Sequence, residues 1–120
     1  TDLGSEWDSG VVRDFWDGAN RAPGATWVLG WDTPSSTGSS AGSRVSPSAV
    51  GHLGFTGTSV WLDLDQALGV VLLSNRVQNG PGSQEGIRRF RPRFHDAIRD
   101  LLGLGFCGAG ASSQATPARC

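Results

Sequence analysis

The chain has 120 residues, with eleven Asp and Glu against ten basic residues and a formal net charge of −1. That length suits one domain rather than two, and the balanced charge excludes a polyanion binder driven by bulk electrostatics. Val, Ile, Leu and Phe supply 27 of the 120 residues, enough for a core, while every basic residue is Arg and neither Tyr nor Met occurs. A Lys amine or a Tyr phenol therefore has no part in any chemistry carried here.

Val11, Val12, Phe15 and Trp16 recur at helical spacing behind Asp8 and Ser9, either of which can cap the first turn. The pattern predicts a short amphipathic helix over residues 8–16. Asp17-Gly18 and Pro23-Gly24 then break the chain, and residues 26–31, with two Trp and one Val, read as a strand. Residues 33–48 are rich in Ser, Gly and Pro, with little besides Val45 to bury, and read as a long loop. Residues 50–55 form the next strand. In residues 58–64, Val60, Leu62 and Leu64 alternate with Ser59, Trp61 and Asp63, the period of a strand. After Asp65-Gln66-Ala67, the run 68–73 is apolar at nearly every position and reads as a central strand covered on both faces. The short connection makes these last two an antiparallel hairpin.

A loop follows at residues 79–83, and then Ile87, Phe90, Phe94, Ile98, Leu101 and Leu102 mark one face of a C-terminal helix, with Pro92 expected to kink or restart it. The fold class expected is α+β: an antiparallel sheet of three to four strands flanked by an N-terminal and a C-terminal helix. Residues 1–102 form the domain. Residues 103–120, made largely of Gly, Ala and Ser, form a flexible tail that cannot offset its ordering entropy. No run reaches the ~18 to 20 apolar residues of a membrane span.

The segment Gly51-His52-Leu53-Gly54-Phe55-Thr56-Gly57-Thr58-Ser59 places three glycines, a His and three hydroxyls in a strand. Glycine weakens a strand interior, so its repetition points to close approach by another backbone or a ligand. The alternative is a bulged edge strand with a half-buried His. Exposed N–H groups on such an edge can bind a carbonyl substrate as an added strand or donate to an oxyanion.

Four blocks, Gly30-Trp31-Asp32-Thr33-Pro34, residues 51–63, Val70 to Val77 and Arg91-Pro92-Arg93-Phe94-His95-Asp96-Ala97, resemble in order and spacing the C-terminal part of the serine β-lactamase-like hydrolases. That superfamily includes class C β-lactamases, penicillin-binding proteins and related esterases and peptidases. The resemblance covers residues 8–102. It implies a partial β-lactamase/transpeptidase-like fold and bacterial origin, and leaves open whether the setting is periplasmic, secreted or cytoplasmic. It further implies a nucleophilic Ser in Ser-x-x-Lys, a Tyr-x-Asn or Ser-x-Asn element, and a third motif on a strand beside the site.

By that resemblance His52-Leu53-Gly54 occupies the third motif, with Leu53 in place of the usual Thr, and the N–H of Phe55 becomes one oxyanion-hole donor. A shifted register, Phe55-Thr56-Gly57, would move the donor to Thr58. His52 takes an auxiliary catalytic role, and Leu53, Gly54, Phe55, Thr56 and Trp31 contact substrate. With no Lys and no Tyr in the chain, and no Ser two residues ahead of Asn20, Asn75 or Asn79, the first two motifs lie upstream. The opening at Thr1 instead of Met fits a piece of a longer protein. The expectation is the C-terminal portion of a serine hydrolase acting on a β-lactam, ester or D-amino-acid peptide, inactive alone. The alternative is a non-catalytic binding or structural module.

Other patterns are set aside. Gly103-Leu104-Gly105-Phe106-Cys107-Gly108 matches a dinucleotide fingerprint but follows a helix instead of a strand. Ser59 lacks the final Gly of a nucleophile elbow, although composition alone leaves open a Ser-His-Asp triad through His52 or His95. The Arg88 to His95 cluster reads as a solvated helix face, with Asp96 or Asp100 as pairing partners, and not as a nucleic-acid surface. Cys107 and Cys120 make neither a disulfide framework nor a metal knuckle. No cofactor or metal is expected; the partner expected is a small acyl substrate, and oligomeric state is left open.

Overall fold

A computed structural model describes residues 9–15, 17 and 21–104. Along the chain come α1 (Ser9–Asp14), β1 (Trp27–Val28), β2 (Trp31–Asp32), β3 (Val50–Leu53), β4 (Ser59–Asp63), β5 (Leu68–Leu72), a 3-10 turn (Arg76–Asn79) and α2 (Ser83–Leu101). The strands form one antiparallel sheet of five in sequence order. This is an α+β arrangement, with five strands where three to four were expected. The additional strand arises because residues 26–31 do not form one straight strand. Leu29 and Gly30 both take positive φ, 41° and 93°, which folds the segment into a two-residue hairpin. Such a turn favours Gly, Asn or Asp at both central positions, so Leu29 gave no warning of it.

β3 and β4 pair along their length, with Gly51 opposite Trp61 and Leu53 opposite Ser59. β2 meets β3 only at Asp32 and Gly51. β4 continues into β5 through a turn in which the Asp63 carboxylate accepts the Gln66 N–H, so the expected hairpin is present. β5 is not central, however. It closes the sheet as an edge strand, burying Val70 and Leu72 while Val71, and Leu73 just beyond the strand, are 58% and 80% exposed.

α2 runs unbroken through Pro92 and ends in a paired-bond stop, with Leu104 N–H donating to Arg99 O, Gly103 N–H to Asp100 O, and Gly103 at φ 69°. Of the residues that mark the expected apolar face only Ile87 is buried, because the helix meets the sheet with a stripe rotated from the centre of that face. Ile87, Arg91, His95 and Arg99, each one helical turn from the last, are buried. Phe90, Leu101 and Leu102 are 51%, 82% and 53% exposed. Phe90 instead stacks on Phe94, ring centroids 6.0 Å apart.

The apolar core is correspondingly small: Val28, Ala41, Ala49, Val50, Trp61, Val70, Leu72 and Ile87. The long Ser/Gly loop is fastened to α2 by polar contacts, since the Asp96 carboxylate accepts the N–H groups of Ser43 and Arg44 and the Ser43 hydroxyl. Arg44 also pairs with Asp100. At the end of α1 and just beyond it, the side chains of Arg13, Asp14 and Phe15 are exposed. Residues 8 and 16, the ends expected for that helix, and residues 105–120 of the expected tail lie outside the described residues.

Candidate functional site

The glycines of the β3 segment have internal reasons. A Cβ on Gly51 would lie 2.5 Å from Trp61 Cε3 and 2.6 Å from the Val60 carbonyl, because the Trp61 indole covers this position. One on Gly54 would collide with Thr58 Oγ1, and one on Gly57, at φ 106°, would lie 2.5 Å from Ser74 Oγ. Close approach is what these glycines permit, and the groups that approach are neighbouring side chains and backbone.

His52, between two of these glycines, is exposed. It pairs in register with Val60 and meets the ring of Trp27 edge to face, centroids 5.7 Å apart at 72°. The aromatic partner of His52 is thus Trp27, 49% exposed. Trp31 sits opposite Val28 on β2, half-buried. Trp31 stands out in the sequence because it comes just before the Ser/Gly loop, a signal that Trp27 lacks.

Beyond β3 the chain turns tightly, with Gly57 N–H donating to Gly54 O at 3.1 Å and Gly54 N–H to Thr58 O at 2.9 Å. Phe55 stands at the turn's outer corner, 78% exposed, and its N–H has no acceptor among the described residues. Leu53 and Gly54 are half-buried and Thr56 is exposed. Two guanidinium groups hold this turn. Nη2 of Arg91, reaching up from α2, donates to Gly54 O and Thr58 O, both at 2.8 Å. Arg76 donates its backbone N–H to Thr56 O and its Nε to Phe55 O, each at 2.7 Å, with its guanidinium 4.5 Å from the Phe55 ring centroid. Burial first, and then Arg76, lower the Arg91 pKa from its ordinary value.

Further along α2 the buried stripe is polar. His95 Nε2 lies 3.1 Å from Ser59 Oγ, and Arg99 Nη1 lies 3.0 Å from Asp63 Oδ2 in an ion pair with both side chains fully buried. Asp63 also accepts the N–H groups of Ser46 and Gln66. The His95 pKa is pushed down to about 4, by burial first and then by Arg99, with Arg91 adding and Asp96 opposing.

Ser59 and His95 have the spacing of a nucleophile and its base, but not the surroundings. They are 3% and 1% exposed, which bars substrate, and His95 Nδ1 has no hydrogen-bond partner among the described residues, so none of their carboxylates orients the ring. The pair belongs to the packing of α2. Among the arginines of the 88–95 cluster, Arg88, Arg89 and Arg93 are exposed as expected, whereas Arg91 is buried. Asp100 pairs with Arg44, from the loop, and Asp96 holds the loop backbone.

An open cleft of about 360 Å³ between the 3-10 turn and α2 is lined by Ser74, Asn75, Arg76, Ser83, Ile87 and Phe90. It adjoins the Arg76 side of the turn, and His52 is not in its lining. Among the described residues no group of three or more His, Cys, Asp or Glu is placed to hold a metal ion. No helix among them is long and apolar enough to cross a membrane.

A family model described as Beta-lactamase matches residues 8–91, well over half of the chain. No curated protein and no solved structure matches.

Proposed function

The chain belongs to the Beta-lactamase family, and from that premise we propose that it forms the C-terminal part of a serine hydrolase working through an acyl-enzyme. The bond attacked is an acyl bond of a β-lactam, an ester or a D-amino-acid peptide. The nucleophilic Ser and its base are supplied by chain upstream of Thr1. This part contributes the third-motif strand, His52-Leu53-Gly54, and one oxyanion-hole donor, the Phe55 N–H. Leu53, Thr56 and Trp31 line the substrate, joined by Trp27, which sets the orientation of the His52 ring. His52 orients substrate or a proton-transfer group and is not the nucleophile.

The observation that carries this reading is the pairing of an exposed imidazole at position 52 with an unclaimed amide three residues on. The composition agrees, since a chain with no Lys and no Tyr holds neither Ser-x-x-Lys nor Tyr-x-Asn. The buried Ser59 offers no substitute nucleophile.

The test has two arms. The 120-residue chain, incubated with a chromogenic cephalosporin and with p-nitrophenyl esters, is expected to give no turnover above buffer. Turnover abolished by a serine-directed acylating agent would overturn the reading. In the longer parent enzyme, His52→Ala is expected to lower the acylation rate by about a hundredfold or more, the lower end for a positioned proton-transfer group, with little change in melting temperature. A changed melting temperature at unchanged acylation would reduce His52 to scaffold.

A further inference from the structure

Arg91 is 7% exposed, and among the described residues no carboxylate pairs with it. A buried cation without a counter-ion is costly unless its surroundings gain from the charge. Here its hydrogen bonds go to two backbone carbonyls at the neck of the β3–β4 turn, Gly54 O and Thr58 O. The first is the informative one. The Gly54 carbonyl and the Phe55 N–H belong to one peptide unit, which is trans, so the two point in opposite directions. The carbonyl faces into the turn, where Gly57 N–H and Arg91 both donate to it. The N–H therefore faces outward, past the point where β2 has ceased to pair with β3.

A cation bonded to the carbonyl draws electron density along the amide. That raises the partial positive charge on the N–H and stabilises an anion approaching it. Resting on the proposed role of Phe55 as an oxyanion-hole donor, we propose that Arg91 is the positioning residue for that donor: it fixes and polarises the Gly54–Phe55 peptide from behind. Arg76, which bonds the next two carbonyls of the same turn, adds a second positive charge to it, and among the described residues no acidic group pairs with either. The turn is thereby built to face an anion, with Arg91 acting through the backbone and never touching the substrate.

The acidity of an amide is read directly by its base-catalysed hydrogen exchange, measured by NMR on the 120-residue chain itself without substrate. In the wild type, the Phe55 N–H is expected to exchange about tenfold faster than the same amide in an unstructured peptide. That factor corresponds to about 1.4 kcal/mol of stabilisation of the amide anion. Arg91→Gln is expected to slow the Phe55 exchange about tenfold even as it lowers the melting temperature, and Arg91→Lys to restore part of the rate.

The hydrogen-bonded amides of the same turn separate this role from a structural one: a residue that only braces the turn would, when removed, speed the exchange of the Gly54 and Gly57 N–H groups, whereas loss of polarisation slows Phe55 and leaves those two protected. Asp96→Asn, which loosens the loop from α2 without touching Gly54, is expected to lower stability and leave the Phe55 rate unchanged. Exchange that is unchanged or faster in Arg91→Gln would overturn the inference. Should no Arg91 variant fold, the wild-type rate decides alone: a Phe55 exchange rate at or below the unstructured value overturns it, and a faster rate upholds it. The catalytic reading is tested separately, by Phe55→Pro in the parent enzyme. Normal ester turnover there would remove Phe55 from the oxyanion hole, while the exchange rates would still decide whether Arg91 polarises the peptide.

Discussion

Replacing Arg99 by Met leaves the Asp63 carboxylate buried beneath α2 without its cation. The wild-type pair is separated by 3.0 Å and both side chains are fully buried. At an effective dielectric of about 20 and a charge separation of about 4 Å, the attraction is on the order of 4 kcal/mol. Removal of one partner from a buried pair typically costs about 3 to 5 kcal/mol. Because Asp63 keeps the N–H groups of Ser46 and Gln66, the lower end, about 3 kcal/mol, is expected. Asp63→Leu alone removes the acceptor of those two N–H groups and leaves Arg99 without a counter-ion, with Gln66 Oε1 as its remaining acceptor and its Nε and Nη2 already lacking partners. It should cost as much or more. The double variant carries no buried charge at this contact but leaves the two N–H groups unsatisfied, at about 1 to 3 kcal/mol each, so its loss should fall well short of the sum of the two single losses. Urea unfolding followed by tryptophan fluorescence gives the three free energies and hence the coupling. An Arg99→Met loss below about 1 kcal/mol, or strictly additive single effects, would refute the placement of this pair in a dry interface. The same contact holds α2 in register, so Arg91, two turns earlier, should lose its hold on the turn in this variant as well.

Two further outcomes follow from the buried face of the sheet. With its folded pKa at about 4 against about 6.5 unfolded, His95 binds its proton more readily in the unfolded chain. Its contribution is therefore intact above about pH 6.5 and declines as pH falls toward about 4, by about 3 kcal/mol in total; a His95→Gln variant should be less stable at about pH 7 yet lose that acid slope. A stability profile for the variant as steep as that of wild type across the same range would assign the slope to other groups. Gly51→Ala should cost about 2 kcal/mol or more and shift the Trp61 emission, because the new methyl enters the indole and the Val60 carbonyl; a variant as stable as wild type would contradict the contact.

Much of the sheet was legible because strand alternation and short polar turns are local signals. Residues 58–64 and 68–73 announced a hairpin, and Asp63 even provides the side chain that closes its turn. The β1–β2 hairpin was hidden because its turn carries Leu29 at positive φ, a conformation a bulky residue adopts only when the surrounding structure imposes it. The place of β5 at the sheet edge could not be read from its apolar run, since an apolar strand suits any position whose faces are covered, and covering is decided by other elements. At the candidate site, the motif residues from His52 to Thr56 were visible as a cluster, whereas Trp27, Arg76 and Arg91 reach it from distant segments.

α2 marks the boundary between the two kinds of information. Periodicity grouped Ile87 with Phe90, Phe94, Ile98, Leu101 and Leu102 as one apolar face, and the four-residue spacing equally places Ile87, Arg91, His95 and Arg99 on a stripe that overlaps it. It could not determine which stripe meets the sheet. That choice was made by the partners the fold supplies, the Gly54 and Thr58 carbonyls for Arg91, Ser59 for His95 and Asp63 for Arg99, all more than thirty residues away in the chain. Polar side chains enter an interior only where such partners already wait, and their arrangement exists only once the strands have paired.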